Sequence, residues 1–136
     1  PGALPARPEL HKYMTAAAGL EATGRLAAAA QAYERAHEHW PASAWPPLGL
    51  ANVRLTQGAI DAAEAAYRTA LAIEPEHVVA NNNFAELLLN RGCVAEARVH
   101  AERAATNAAG TPLEQATAAT LRKIEAAPQS TERCAR

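Results

Sequence analysis

The chain has 136 residues, enough for one ordinary domain with a buried core. Hydrophobic residues make up 49% of it but aromatics only 4%, so alanine carries much of the apolar content and favours closely packed helices. A formal net charge of -1 offers no general field for phosphate or anionic lipid, which argues against nucleic-acid binding, and no apolar run approaches the ~20 residues of a membrane span.

Residues 1–9 read as an N-terminal linker; the opening PGALPARPEL has no initiator methionine, as expected of a mature product or an excised part of a longer protein. Beyond it the sequence repeats with a period of 34 residues. The period aligns Gly24, Gly58 and Gly92; Ala29, Ala63 and Ala97; Ala36, Ala70 and Ala104; and Leu26, Ile60 and Val94. Three units follow, at about 10–43, 44–77 and 78–110. In the first, Ala16, Ala17 and Gly19 belong to a slight helix, and the second helix ends in YERAHEHWP. In the second, Ile60, Ala63, Tyr67, Ala70 and Leu71 recur at the three-and-four spacing of one buried stripe. Each glycine stands where two helices reverse direction, while Pro41 and Pro75 close the first two units and open the next helix. The third unit has Ala101 where the others have tyrosine, and no closing proline.

Residues 111–127 read as a seventh helix, with Thr111 as N-cap, Pro112 at its first position and Pro128 beyond its end. Its inward residues are expected to be Leu113, Leu121 and Ile124, with Gln115, Arg122 and Lys123 in solvent, so that it covers the last hairpin. Residues 128–136 are expected to form a flexible tail.

The 34-residue helix-turn-helix unit, most specifically Gly58, Ala63, Tyr67, Ala70 and Pro75, resembles the tetratricopeptide repeat. The resemblance runs from about Leu10 to Ala109 and implies an all-α, right-handed superhelical stack of three hairpins with a C-terminal capping helix. It also implies a concave groove lined by the first helix of each pair: His11, Met14, Ala18 and Glu21; then Trp45, Leu48, Asn52 and Leu55; then Asn82, Asn83, Glu86 and Asn90. The eight residues of the second and third units are the candidate partner-binding set. Amides in NNNF suit the backbone of an extended peptide, and Trp45 with Leu48 suits an apolar anchor. The alternative for these residues is structural: asparagines paired with helix backbone, and Trp45 packed on Trp40. Relatives that clamp a terminal carboxylate use lysine and arginine where this chain has Met14, Ala18, Asn82 and Glu86, with only Asn52 in agreement, so acidic C-terminal peptides are not expected.

The stretch from Trp45 to Ala97 also resembles the repeat region that follows the catalytic domain in some bacterial papain-like cysteine peptidases of the bacteriocin-leader-processing type, often envelope lipoproteins. That resemblance implies an accessory part of a larger enzyme, in the bacterial periplasm or envelope, with the cytoplasm as the alternative. The main expectation is a protein-binding or peptide-binding scaffold without catalysis of its own. Self-association through an incompletely covered end is a third reading.

The remaining chemistry is sparse. In a helix His37 and His39 point about 200 degrees apart, so they do not share a metal, and imidazoles at a helix end fit its dipole. His77 and His100 lack a partner at ligand spacing, and no HExxH or paired CxxC occurs. Cys93 and His100 lie about 10 Å apart along one helix, beyond the reach of a catalytic pair. No metal and no cofactor is expected. A Cys93–Cys134 disulfide is compatible with the chain path, because the last helix returns toward Cys93 and seven further residues span up to about 23 Å. It would hold the capping helix, contribute about 4 kcal/mol by loop entropy and imply an oxidising compartment. The alternative is two unrelated thiols.

Overall fold

The computed structural model describes residues 7–128 and Cys134. Among them are seven helices and no strand: α1 (Arg7–Ala22), α2 (Leu26–His39), α3 (Trp45–Thr56), α4 (Ile60–Ile73), α5 (Val78–Asn90), α6 (Val94–Ala108) and α7 (Glu114–Glu125). The all-α expectation is borne out. Helix α1 takes in residues 7–9 of the expected linker; the rest of that linker, and the expected tail apart from Pro128 and Cys134, lie outside the described residues. No helix among the described residues is long and apolar enough to cross a membrane.

The hairpin turns share one local structure. In α3 the Gly58 N–H donates to the Leu55 carbonyl at 2.9 Å and the Ala59 N–H to the Arg54 carbonyl at 2.9 Å, with Gly58 at φ 78°. This is the Schellman closure of a helix, and only glycine takes that backbone conformation without cost. Gly24 and Gly92 close α1 and α5 with the same pair of bonds. The prolines act in part as expected: Pro41 and Pro75 directly follow the C-cap residues Trp40 and Glu74 and close the first two units, but neither opens the next helix. Pro41 and Pro75 sit in the connecting turns, whereas Pro46 and Pro47 occupy the first turn of α3, where a missing N–H leaves no bond unmade. The His77 side chain caps α5 by accepting from the Ala80 N–H at 3.2 Å.

The chain divides into two compact units, Pro1–Glu74 and Pro75–Arg136. In the first, α1 pairs with α2 and α3 with α4, while α2 and α1 both pack on α3. Its core is built around Ala17, Ala29, Ala30, Tyr33 and Val53, with Met14, Leu20, Leu26, Ala32 and Leu50 packed against them. Small side chains let the helix axes approach, and the tyrosine fills what they leave. In the second unit α5 pairs with α6, and α7 packs on both. Ala97, Ala101, Ala104 and Ala108 of α6 are fully buried, so the bulk comes from α5 through Phe84 and Leu88. Phe84 stands one repeat after Leu50, and its ring centroid lies 4.9 Å from that of His100.

Helix α7 departs from its expected face. Ile124 is fully buried, but its companions are Thr117 and Thr120, and Leu113 is 41% exposed. The helix starts at Glu114 because the Thr111 hydroxyl donates to the Ala108 carbonyl at 2.6 Å and accepts from the Leu113 N–H at 3.2 Å, making a turn that leaves Leu113 outside. Both buried threonines satisfy their hydroxyls on backbone carbonyls one turn back, at 3.1 Å for Thr117 and 3.2 Å for Thr120. Cys93, which precedes α6, and Cys134 form a disulfide with Cα atoms 4.7 Å apart, closing a loop that contains α6 and α7.

Candidate functional site

In the first unit, α1 directs Leu10, His11, Met14, Thr15 and Ala18 along one face, following the helical period. With Tyr33 of α2 and Trp45 of α3 they line an open, largely apolar groove of about 620 Å³. Thr15 and Ala18 are short side chains in this lining, and Tyr33 packs directly on α3 at Gly49. A Cβ on Gly49 would overlap the Tyr33 ring, so the glycine sets how deep the ring sits. Trp45 stands at the rim with 46% of its surface exposed. Trp40 packs its ring against Tyr13, with centroids 5.7 Å apart, and against His39 at 5.8 Å.

The Tyr33 hydroxyl donates to the Glu21 carboxylate at 3.1 Å. Burial, then the charge of Glu21 and this hydrogen bond, push the tyrosine up to about 12. The ring is therefore neutral at physiological pH, with an apolar face toward the groove and its hydroxyl held by a carboxylate. Tyr67, one repeat later, instead donates to Asn52 Oδ1 at 2.8 Å. The position equivalent to Asn52 in the first unit is Ala18, which offers no acceptor, so Tyr33 reaches Glu21 instead.

The residues expected to bind a partner fall into different roles. Of those on α3, Trp45 lines the groove. Leu48, expected as part of an anchor pocket, is only 3% exposed and belongs to the core, because its turn of α3 faces the packed hairpin. Asn52 is half-buried and engaged by Tyr67, and Leu55 is half-buried. On α5, in the second unit, Glu86 accepts from Lys123 Nζ at 3.3 Å and from the Thr120 hydroxyl at 3.4 Å, both on α7. Asn82 is half-buried with an Oδ1 that has no hydrogen-bond partner; Asn83 is half-buried and Asn90 exposed. Asn81 is a structural residue: its amide donates to the Pro75 and His77 carbonyls, both at 2.9 Å, and its Oδ1 lies 2.8 Å from His100 Nδ1. His11, Met14 and Ala18, expected on an inner face, do line the groove, whereas Leu10, Thr15 and Tyr33 were not read as lining it. Leu10 is one helical turn before Met14, a spacing that could have marked it.

His39 Nδ1 lies 2.9 Å from the Arg35 carbonyl, and His37 lines a separate cleft of about 320 Å³ with Glu34, Glu38, Pro47 and Leu50. Among the described residues no three metal-ligating side chains come together, and Cys93 carries no free thiol.

Helical hairpins of this length, recurring every 34 residues and closed by a left-handed glycine, define a helical-repeat scaffold. Residues 20–67 match the family model described as tetratricopeptide repeat, bearing out the resemblance seen in the sequence. No curated protein sequence matches the chain. Solved structures share its fold. The Yersinia enterocolitica type III secretion chaperone SycD, in complex with a peptide of the translocator YopD, is 21% identical over 88% of this chain and 95% of that one, with a TM-score of 0.75. PcrH in complex with the chaperone-binding region of PopD is 19% identical over 90% and 95%, with a TM-score of 0.77; PcrH is from Pseudomonas aeruginosa. The first tetratricopeptide-repeat domain of RPAP3 (Spaghetti), bound to the HSP90 peptide SRMEEVD, is 16% identical over 85% and 92%, with a TM-score of 0.76.

Proposed function

We propose that this chain is a peptide-binding module without catalysis of its own, which takes an extended segment of a partner protein into the groove of the first unit. The observation that carries the reading is the groove itself: an open apolar channel of about 620 Å³ with Trp45 46% exposed at its rim. A large aromatic held at the edge of an apolar concavity is the usual anchor of a binding hot spot. Three proteins of the same fold, SycD, PcrH and RPAP3, are each seen with a peptide or segment of a partner. Among the described residues the groove lining contains no lysine or arginine, so an acidic peptide of the SRMEEVD kind is not the expected ligand.

Selection of peptides from a displayed library against the whole chain tests the reading. A selected peptide is expected to lose about 30-fold in affinity on Trp45→Ala, the effect of a hot spot near 2 kcal/mol. Unchanged affinity in a folded Trp45→Ala variant would move the ligand elsewhere.

A further inference from the structure

A carboxylate stands at one end of the groove and bears on what its ligand carries. Leu10, Met14 and Ala18 set one face of α1, and Glu21 continues that face one turn further on. Its carboxylate is tied to a residue lining the groove through the Tyr33 hydroxyl at 3.1 Å. Among the described residues no lysine, arginine or histidine lies within ion-pair distance of Glu21, Arg25 included. A carboxylate has about four acceptor positions, and this one receives a single hydrogen bond among the described residues. The groove thus has an apolar body and, at the Glu21 end, a half-buried anion without a counter-charge.

We propose that Glu21 is a specificity residue that selects an extended peptide with a lysine or arginine placed next to its apolar anchor. The inference rests on the groove reading above and adds the chemistry of the occupant. Spacing follows from the helix. Met14 and Glu21 are about 10 Å apart along the axis at ~1.5 Å per residue, which an extended peptide covers in about three residues. An anchor lying over Met14 and against Trp45 therefore places the cation three positions away, toward the end of α1. The apolar surroundings weaken solvent screening there, so the pairing discriminates more than it would on an open surface.

The test uses two blocked hexapeptides, Ac-GLGGRG-NH2 and Ac-GLGGQG-NH2, titrated into the isotopically labelled whole chain with amide shifts as the readout. The arginine peptide is expected to bind about five-fold tighter, the preference shrinking with added salt and vanishing in Glu21→Gln, which keeps an acceptor for Tyr33. In Trp45→Ala both peptides are expected to weaken together. Equal binding of the two peptides to the unmodified chain, or a preference that survives Glu21→Gln, would overturn the role of Glu21 while leaving the groove reading intact. Absence of shifts at Met14, Ala18 and Trp45 with both peptides would overturn the groove reading and this inference together.

Discussion

At the scale of single residues, the site depends on a ring laid over a glycine. Gly49→Ala forces the Tyr33 ring off α3, and overpacking of this kind costs about 1–3 kcal/mol. Chemical denaturation should show that loss, and a groove ligand should bind more weakly to the variant even at temperatures where it is fully folded. Tyr33 gives a second, independent signal. Its pKa in the folded state is pushed from the ordinary 10 up to about 12, so the neutral form is favoured by folding. The resulting stability is fully present below about pH 10 and is lost as pH rises toward 12. Tyr33→Phe should remove that alkaline loss, measurable as the pH dependence of the unfolding midpoint. Little of this was legible in the sequence. The repeat marks Tyr33 and Tyr67 as equivalent, yet their hydroxyls go to Glu21 and Asn52, because one residue on the facing helix changes from Ala18 to Asn52. Leu48 misled for a related reason: one turn of α3 separates a groove position from a core position, and both hold apolar residues.

At the scale of elements, the hairpins were legible because period, glycine and alanine all point the same way. The shared Schellman closure predicts that Gly58→Ala costs about 1 kcal/mol through backbone strain alone, since a Cβ there meets nothing within 4 Å. Thermal unfolding of that variant should fall by a few degrees with the helical spectrum unchanged. Helix α7 was only half legible. Ile124 was read as inward, but Thr117 and Thr120 are buried through hydroxyls that bond their own helix, a solution invisible to a hydrophobic pattern. The second unit also carries the Cys93–Cys134 bond around α6 and α7. Reduction should destabilise that unit by up to about 4 kcal/mol, and Cys93→Ser should lose the sensitivity to reductant. Equal unfolding midpoints with and without reductant would show that α7 holds its place by packing alone.

At the scale of the whole molecule, near-neutral charge, a low aromatic content and two compact units built from helical hairpins leave surface chemistry as the source of function. Composition was enough to predict an all-α fold and to argue against a polyanion partner. It was not enough to say which surface binds, because the groove lining draws on α1, α2 and α3 and only α1 contributes a contiguous pattern. A partner peptide lying in this groove is checked by amide-shift mapping of the whole chain with a library-selected peptide. Shifts are expected to centre on Met14, Thr15, Ala18 and Trp45, with little change at the exposed Asp61, Ala65 and Thr69 of α4. Shifts centred on α4, or confined to residues beyond Pro75, would contradict it.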